Sequence, residues 1–405
     1  MQTKINKEII ILIFVSIISS LYFQTFQEVM SERGNADFHL MPAKCLFSGI
    51  NHYSSYLSYF DEFKSFVPEL NLDFLSSHYS FYLANKGCGM YLSQGGEYLQ
   101  IYYLLLYPLT YFDWPLAKIF WFLFNIFLIS TIIYMLCKKY ELNNLETIII
   151  IFLILYSVVT RIHLTMGQQA IFVYFFFILP FISKSKYSYL FSGISYAKYS
   201  IGYALFLYFI ISKKFKIALL SLVPIIFGWL LYSLITKTNP IINVFEPFAL
   251  MIMNGKISGE LNLHLFSFLE DLNLFSDESN RLFAILISII VNSFFIYKIT
   301  KLDDELQKLS CLSISVVLFL PHYAHDYVVL LPLVIYTFKS YSSHKNLSRI
   351  NLILLIYFFY FIGIHQHLGK ILPILNFIYL KQFLLLFLLL INIKKKPPKF
   401  LFRRF

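Results

Sequence analysis

The sequence predicts an all-α integral membrane protein with about 11 to 13 transmembrane or re-entrant helices and a large first extracytoplasmic loop. Hydrophobic residues make up 58% of its 405 residues, charged residues only 14%, and the mean hydropathy is +0.68. So little charge could not cover the surface of a soluble domain. Apolar runs near the length needed to cross a bilayer recur along the chain, and short basic clusters separate them.

The net charge of +11 is spread over these clusters and does not form one patch. That pattern indicates orientation in a membrane, so we expect membrane lipids and no nucleic acid as binding partners. When the spans are alternated across the bilayer, most of the 33 Lys and Arg residues fall on one face. The sequence therefore predicts that this face is cytoplasmic, that both termini lie there, and that the protein resides in the cell membrane.

One membrane domain is predicted over residues 1–393, followed by a basic cytoplasmic tail at 394–405. The first helix, at about 8–25, follows Lys4 and Lys7 as a signal peptide would, but no small-residue cleavage site comes after it. We therefore expect an uncleaved first helix that leads into an extracytoplasmic loop at about 28–97. This loop mixes aromatic and polar residues, a composition typical of short amphipathic helices in the interface.

The stretch 98–112 is short and contains Pro108, so we expect it to dip into the membrane or to lie on it. Residues 187–212 lie between basic clusters and are too few for two spans, which predicts a pair of short or re-entrant helices around Lys198. A second outer loop is expected at 236–281. The remaining spans are predicted at about 116–137, 146–160, 169–183, 215–235, 282–299, 309–321, 327–338, 350–364 and 374–393.

Two of the four cysteines, Cys45 and Cys88, share the first outer loop, where a disulfide and two unpaired thiols both remain open. Cys137 and Cys311 lie at membrane or cytoplasmic positions. The chain has no Walker-type P-loop, no dinucleotide glycine fingerprint and no nucleophile elbow. We expect neither a metal nor another cofactor.

Charged groups beside an apolar core are costly, so each one suggests a function. Asp37 follows the first helix, and its carboxylate could act as a general base; a solvated interfacial carboxylate is the alternative. Lys198 lies among apolar and aromatic residues, where a buried ammonium needs an anion such as a lipid-linked phosphate; the alternative is a side chain that extends to the interface. Arg161 and His163 lie at a predicted outer surface.

The run from His322 to Asp326 packs two imidazoles and a carboxylate into five residues between two predicted spans. His322 and His325 could hold a phosphate or, with Asp326, a metal, although the spacing is not a known zinc motif. Polarity at the interface is the alternative interpretation. Because all these groups fall on the predicted outer side, they suggest a polar site open to the outer leaflet.

Four stretches in this order resemble the C-type glycosyltransferases of family 87, and in particular the polyprenol-phosphate-mannose-dependent mannosyltransferases. The first resembles the first-loop signature of that family, and the second resembles the segment after it. The third resembles its Gly-Gln helix and lysine-bearing half-helices, and the fourth its late histidine-containing loop. The stretches are 35–49 with Tyr53; Tyr107-Pro108-Leu109 with Ala117, Trp121 and Asn125; Gly167-Gln168 with Ser192-Gly193 and Lys198; and 321–327.

The sequence departs from the family pattern at His39-Leu40, where tyrosines are usual, and at Leu109, where a second proline is usual. The resemblance implies a C-type glycosyltransferase-like bundle that moves mannose or another hexose from a polyprenyl-phosphate donor to a glycolipid or glycan acceptor. The active site would face the extracytoplasmic side, the displacement would be inverting, and a monomer is the default expectation. Alternatives are an O-antigen-type polysaccharide polymerase and a transporter or flippase of lipid-linked sugars.

The resemblance also assigns roles to residues. Asp37 would be the catalytic base, and four cations or imidazoles would bind the donor phosphate: Lys198, Arg161, His322 and His325. Other substrate contacts would come from Gln168, Asp326 and Tyr107.

Overall fold

The computed structural model describes residues 22–31, 38–54, 82–85, 88–91, 98–254, 277–319, 322, 324–341, 344–361 and 380–394. Over these residues the chain is a helical assembly with one small hairpin, so the predicted all-α membrane class is confirmed. Most of the predicted first helix, Asp37 and most of the basic tail lie outside the described residues.

A helical segment at 22–30 precedes the labelled elements. The helices are α1 Leu40–Phe47, α2 Gln100–Leu105, α3 Trp114–Lys139, α4 Asn144–Leu155, α5 Val158–Met166, α6 Ala170–Ile182, α7 Lys186–Ser192, α8 Tyr199–Ile211, α9 Phe215–Thr236, α10 Pro240–Asn254, α11 Asp277–Thr300, α12 Glu305–Phe319, α13 Leu331–Ser340, α14 Lys345–Ile356 and α15 Leu380–Lys394. The strands are β1 Tyr82–Asn85 and β2 Cys88–Tyr91, and 3-10 turns cover Tyr107–Tyr111, Gly193–Ala197 and Ala324–Leu330. A π-helical turn, Tyr357–Phe361, continues α14.

Three stretches of the described residues are long and apolar enough to cross a membrane as single helices: Trp114–Lys139, Phe215–Thr236 and Phe283–Thr300. A fourth span results if α4 and α5, which bend by 59°, are counted together. Shorter apolar helices cover Ala170–Ile182, Tyr199–Ile211 and Phe383–Ile393. The predicted membrane character is therefore present in the structure.

Local sequence signals set the ends of the long helices. Asp113 caps α3 by accepting a hydrogen bond from the backbone N–H of Leu116 at 3.1 Å, and Pro115 occupies the first turn, where its missing N–H costs nothing. At the other end Lys138 and Lys139 lie in the last turn, where cations are favourable. A capping box between Asn143 and Glu146 starts α4.

The region around Lys198 has the predicted broken form. Helix α7 and the turn Gly193–Ala197 lead to Lys198, whose backbone is extended, and α8 begins directly after it. Glycines permit the tight packing here, because a Cβ on Gly193 would lie 1.7 Å from the carbonyl oxygen of Ser221 on α9. A Cβ on Gly202 would lie 2.4 Å from the Cα of Tyr196. The two half-helices are thus held against their neighbours by backbone contact.

The chain after α4 differs from the sequence prediction. We expected the span to end near residue 160, but α5 continues the helix to Met166 after the bend. Ser157 caps this second helix by accepting from Thr160 N at 3.2 Å. His163 is consequently buried inside the protein.

The two predicted outer loops contain ordered elements. In the first, α1 packs against β2, and β1 and β2 pair antiparallel. Cys45 on α1 is disulfide-bonded, whereas Cys137 and Cys311 are buried free thiols. The sequence left open whether Cys45 forms a disulfide or is a free thiol, and the structure has it in a disulfide. The second loop contains α10, which packs against α9.

Candidate active site

The centre of the candidate site is a buried ion pair between Lys198 and Asp326. The Lys198 Nζ lies 2.7 Å from the Asp326 Oδ1, and the two side chains are 12% and 1% exposed. The other carboxylate oxygen, Oδ2, lies 2.9 Å from His322 Nδ1. His325 Nε2 is 3.9 Å from Asp326 Oδ1. Asp326 thus connects a lysine and two histidines that are far apart in the sequence.

Secondary structure brings these groups together. Lys198 lies at the break before α8, while His325 and Asp326 belong to the turn Ala324–Leu330. His322 Nε2 lies 3.2 Å from the carbonyl oxygen of Ser200 in the first turn of α8. Both ring nitrogens of His322 therefore lie within hydrogen-bonding distance of oxygen atoms that can accept.

Tyr98 connects the ion pair to the first loop. The Lys198 Nζ lies 5.9 Å from the centre of the Tyr98 ring, and the His39 ring lies 4.8 Å from the same ring. A backbone hydrogen bond of 2.9 Å from Leu99 N to Ala197 O fixes this segment beside Lys198. Burial, aided by the Lys198 charge, lowers the pKa of His39 to about 3, so its imidazole is neutral at physiological pH.

Helix α3 anchors the chain on both sides of residues 32–37. Phe38 stacks between Trp114 and Trp121, with ring centres 5.8 and 4.9 Å away. On the other side, the Lys118 Nζ donates to the carbonyl oxygens of Val29 at 3.2 Å and Ser31 at 2.9 Å. Asp37 itself is outside the described residues. Its neighbour Phe38 packs on α3, and His39, the next residue, packs on Tyr98 beside Lys198.

The other predicted residues fall in different places. Tyr107 is 43% exposed, and its hydroxyl contacts that of Tyr111, away from the ion pair. Arg161 on α5 interacts electrostatically with Tyr22 of the N-terminal helical segment. Gln168 is buried, and its backbone N–H donates to the His163 carbonyl at 3.1 Å. The structure thus assembles Lys198, His322, His325 and Asp326, whereas no contact among the described residues joins Arg161 or Tyr107 to that ion pair.

Sequence reasoning assigned no specific role in the site to several of its buried residues. His163 lies on α5, which packs against the turn Ala324–Leu330, and its Nε2 is 3.4 Å from Asn125 Oδ1. Tyr98 and His39 were also not selected, because each resembles an ordinary interfacial residue in the sequence. The signal that could have found His39 is its place two residues after Asp37, where the chain departs from the family pattern.

A second buried polar cluster joins the two predicted outer loops. Asn51 Nδ2 donates to both carboxylate oxygens of Glu246 on α10, at 3.1 and 2.9 Å. The Tyr232 hydroxyl of α9 lies 2.9 Å from Asn51 Oδ1, and Gln100 Nε2 donates to the Asn243 carbonyl at 2.6 Å. Burial raises the pKa of Glu246, and the Asn51 hydrogen bonds oppose that shift. This cluster fixes residues 51–54 against α9 and α10.

The model of glycosyltransferase family 87 matches residues 100–321, which is more than half of the chain and includes Lys198. The chain belongs to glycosyltransferase family 87. It is therefore a membrane glycosyltransferase, and the predicted family and enzyme class are confirmed. No curated protein and no solved structure matches the chain. His322, His325 and Asp326 follow directly after the matched range, and Asp37 precedes it.

Over the described part of the chain, no group of three or more His, Cys, Asp or Glu side chains is arranged to hold a metal ion. The chemistry that this site offers is therefore that of one buried ion pair, several imidazoles and tyrosine hydroxyls.

Proposed function

We propose that this family 87 enzyme transfers mannose or another hexose from a polyprenyl-phosphate donor to a hydroxyl of a glycolipid or glycan on the extracytoplasmic face of the cell membrane. The observation that supports this proposal best is the buried cluster of Lys198, His322 and Asp326. A fixed ammonium and imidazole donors in a water-poor site can stabilise an anionic leaving group. The predicted orientation of the chain puts the cluster on the outer side.

In the proposed reaction, an acceptor oxygen attacks the anomeric carbon, and the bond from that carbon to the phosphate oxygen breaks. The bonding pair leaves with polyprenyl phosphate, which gains negative charge. Lys198 carries three N–H donors, and Asp326 Oδ1 uses one of them at 2.7 Å. The remaining donors are available to a phosphate oxygen, so Asp326 positions the ammonium while the phosphate shares it.

The acceptor hydroxyl must lose its proton as the new bond forms. We propose that Asp37, the base that the family resemblance implies, accepts this proton, because a carboxylate within hydrogen-bonding reach can act as a general base. His39 supports the assignment, since it lies two residues after Asp37 and its ring packs on Tyr98 beside Lys198. Attack from the face opposite the phosphate inverts the anomeric centre.

One reconstitution experiment tests this function. The purified protein in liposomes is supplied with polyprenyl-phosphate mannose, its glucose counterpart and a panel of glycolipid acceptors, and the release of polyprenyl phosphate is measured. We expect release that depends on the acceptor, together with a glycosylated product of inverted configuration. A polymerase would ignore these monophosphate donors and use diphosphate-linked oligosaccharides. Movement of the donor across the bilayer with no release would instead indicate transport.

A further inference from the structure

His52 is a buried histidine with one unused ring nitrogen. Its side chain is 1% exposed and lies among Tyr53, Tyr103 and Tyr232, with ring centres 4.0, 4.4 and 5.6 Å away. Nδ1 lies 3.1 Å from the Tyr232 hydroxyl. Nε2 has no hydrogen-bond partner among the residues that the structure describes. Burying an unpaired polar atom is costly, so this nitrogen needs an explanation.

The neighbouring Asn51 fixes which way the hydrogen bonds run. Its Nδ2 faces the two Glu246 oxygens, which accept, and its Oδ1 faces the backbone N–H groups of Tyr53 at 3.0 Å and Ser54 at 3.3 Å. Turning the amide over would place oxygen against oxygen and N–H against N–H. The orientation of Asn51 is therefore determined by its partners.

This orientation sets the tautomer of His52. The Tyr232 oxygen lies 2.9 Å from Asn51 Oδ1, which carries no hydrogen, so Tyr232 must donate its only hydroxyl proton to Asn51. The 3.1 Å contact between Tyr232 and His52 Nδ1 then needs a proton from the imidazole. Burial, with a further contribution from His39, lowers the pKa of His52 well below its ordinary value, so the ring is neutral. Nε2 consequently carries a lone pair and can only accept.

The position of His52 indicates what it could bind. Its ring contacts Tyr103, whose hydroxyl is 3.4 Å from His39 Nδ1, and His39 packs on Tyr98 next to Lys198. His52 and Lys198 thus lie at opposite ends of one row of ring contacts. Lys198 is at the end of the row where the donor phosphate binds in the proposed reaction. An inverting displacement requires the acceptor to approach from the side away from the phosphate.

We propose that His52 is an acceptor-binding residue whose Nε2 receives a hydrogen bond from a hydroxyl of the acceptor sugar. The proposal rests on the function proposed above and adds the acceptor subsite to it. A neutral acceptor nitrogen between tyrosine rings fits a sugar, which offers hydroxyl donors and apolar C–H faces. Because neighbouring rings cover Nε2 in the structure, a change of side-chain rotamer has to accompany binding, as is common at binding sites.

The series of hydrogen bonds from Glu246 through Asn51 to Tyr232 determines that His52 Nε2 accepts a hydrogen bond and does not donate one. If Tyr232 donated to His52, Nδ1 would accept, and Nε2 would carry the proton and prefer a carbonyl or phosphate oxygen instead. With the observed arrangement, the subsite selects hydroxyl groups. Tyr232 and Asn51 are therefore positioning residues that act through His52.

Two substitutions separate the roles of the two ring nitrogens. His52→Asn keeps an N–H donor near Nδ1 for Tyr232 and removes Nε2, whereas His52→Gln can place its amide oxygen near the position of Nε2. Binding of n-octyl glycosides of mannose, glucose and galactose to the purified full-length protein is measured by tryptophan fluorescence. Thermal midpoints of both variants show whether the fold is kept.

We expect His52→Asn to weaken the binding of the preferred glycoside by about tenfold, the loss that one hydrogen bond to a buried group brings, and His52→Gln to recover part of it. A series of monodeoxy glycosides provides the decisive comparison. The analogue that lacks the bound hydroxyl should bind the wild type and His52→Asn equally, an effect that mere loss of structure would not produce.

Equal affinity of the wild type and His52→Asn for every glycoside would overturn the proposal, and so would the absence of saturable binding to the wild type. An equal loss for every deoxy analogue would also overturn it, because the residue would then act only through the fold. Failure of the proposed function is recognised separately. In that case the octyl glycosides bind as expected, but the liposome assay releases no polyprenyl phosphate from any donor.

Discussion

At the scale of single residues, Lys198 and Asp326 depend on each other. Each is a buried charge, and removing one partner of such a pair leaves the other uncompensated. The sequence singled out both, because a lysine between apolar half-helices and an acidic residue beside two histidines are rare in membrane segments. It could not pair them, since 128 positions separate them. The histidine run was predicted as a unit, and the structure keeps it together.

The first prediction concerns Lys198. We expect Lys198→Ala to abolish measurable transfer and to weaken the binding of polyprenyl phosphate by at least about tenfold, because one charge-assisted contact to the phosphate is lost. Binding is measured by competition with a fluorescent polyprenyl-phosphate analogue. Lys186→Ala, which removes an exposed lysine, is the control and should bind as the wild type does. Unchanged affinity of Lys198→Ala would remove this residue from donor binding.

The second prediction concerns Asp37. Asp37→Asn keeps the size of the side chain and removes its basicity, so we expect a fall in kcat of at least about a hundredfold with little change in donor affinity. Glu28→Gln, in which an exposed carboxylate of the preceding helical segment is neutralised, should retain full activity. If both variants, Asp37→Asn and Glu28→Gln, kept the full wild-type rate, Asp37 would not be the base. Another group would then have to accept the proton.

The third prediction follows from the raised pKa of Glu246. A raised pKa means that folding favours the protonated form, so wild-type stability should fall as the pH rises from the ordinary carboxyl value of 4.5 through the pKa in the fold. Glu246→Gln lacks this dependence and still offers an oxygen to Asn51. We therefore expect the variant to gain stability relative to the wild type as the pH rises above 4.5.

Thermal midpoints in detergent, measured across this range, check the trend. Glu246→Leu removes the acceptor of Asn51 Nδ2, so it should be less stable than the wild type at every pH. A constant difference between Glu246→Gln and the wild type would contradict the pKa assignment.

Two residues show where sequence reasoning ends at this scale. Arg161 and Tyr107 were assigned to the site by resemblance. In the described part of the chain Arg161 interacts with Tyr22 and Tyr107 is exposed beside Tyr111, so their place in the site stays a prediction. Side-chain direction on a helix decides such cases, and a short motif does not encode it. Asn51 and Glu246 were missed for the opposite reason, because each is an ordinary loop residue until the fold buries it.

At the scale of elements, the apolar runs predicted the long helices well, since hydropathy over some twenty residues is a strong signal. The break at Lys198 was also predicted, because two spans would not fit between the basic clusters. The bend between α4 and α5 and the β1–β2 hairpin were not predicted. The bend of 59° has no proline to mark it in the sequence, and a pair of four-residue strands carries little pattern.

The fourth prediction tests the packing that positions Lys198. In Gly193→Ala the new Cβ would lie 1.7 Å from the Ser221 carbonyl oxygen, so α7 and α9 must separate. We expect a loss of about 1–3 kcal/mol or more in stability, together with loss of transfer. Ser185→Ala removes only the N-cap of α7, so it should cost about 1 kcal/mol and keep activity. Equal midpoints and activities for the two variants would disprove the close contact.

At the scale of the whole molecule, composition established the membrane class, and the family match added the reaction class. The orientation of the chain is still a prediction from the basic clusters. This orientation decides which donors the enzyme could use, because a donor anchored in the outer leaflet can be reached only by a site that opens on that side.

The fifth prediction is a labelling experiment for this orientation. Cys45 is disulfide-bonded and Cys137 and Cys311 are buried, so these three residues should add little background labelling. Lys399→Cys in the tail should react with a membrane-impermeant maleimide only after the membrane is permeabilised. Asn239→Cys, at an exposed position before α10, should react in intact cells. The reverse pattern would put the site on the cytoplasmic face and exclude a donor in the outer leaflet.

The long separation between Lys198 and Asp326 also has a consequence for biosynthesis. At about 5–20 residues per second, a ribosome needs on the order of ten seconds to make the chain between them, and during that interval the lysine has no counter-ion. The half-helices around Lys198 should therefore complete their insertion only after the later segments have emerged. Nascent chains truncated before Asp326 should be extracted from the bilayer by alkaline carbonate more readily than chains that end after it.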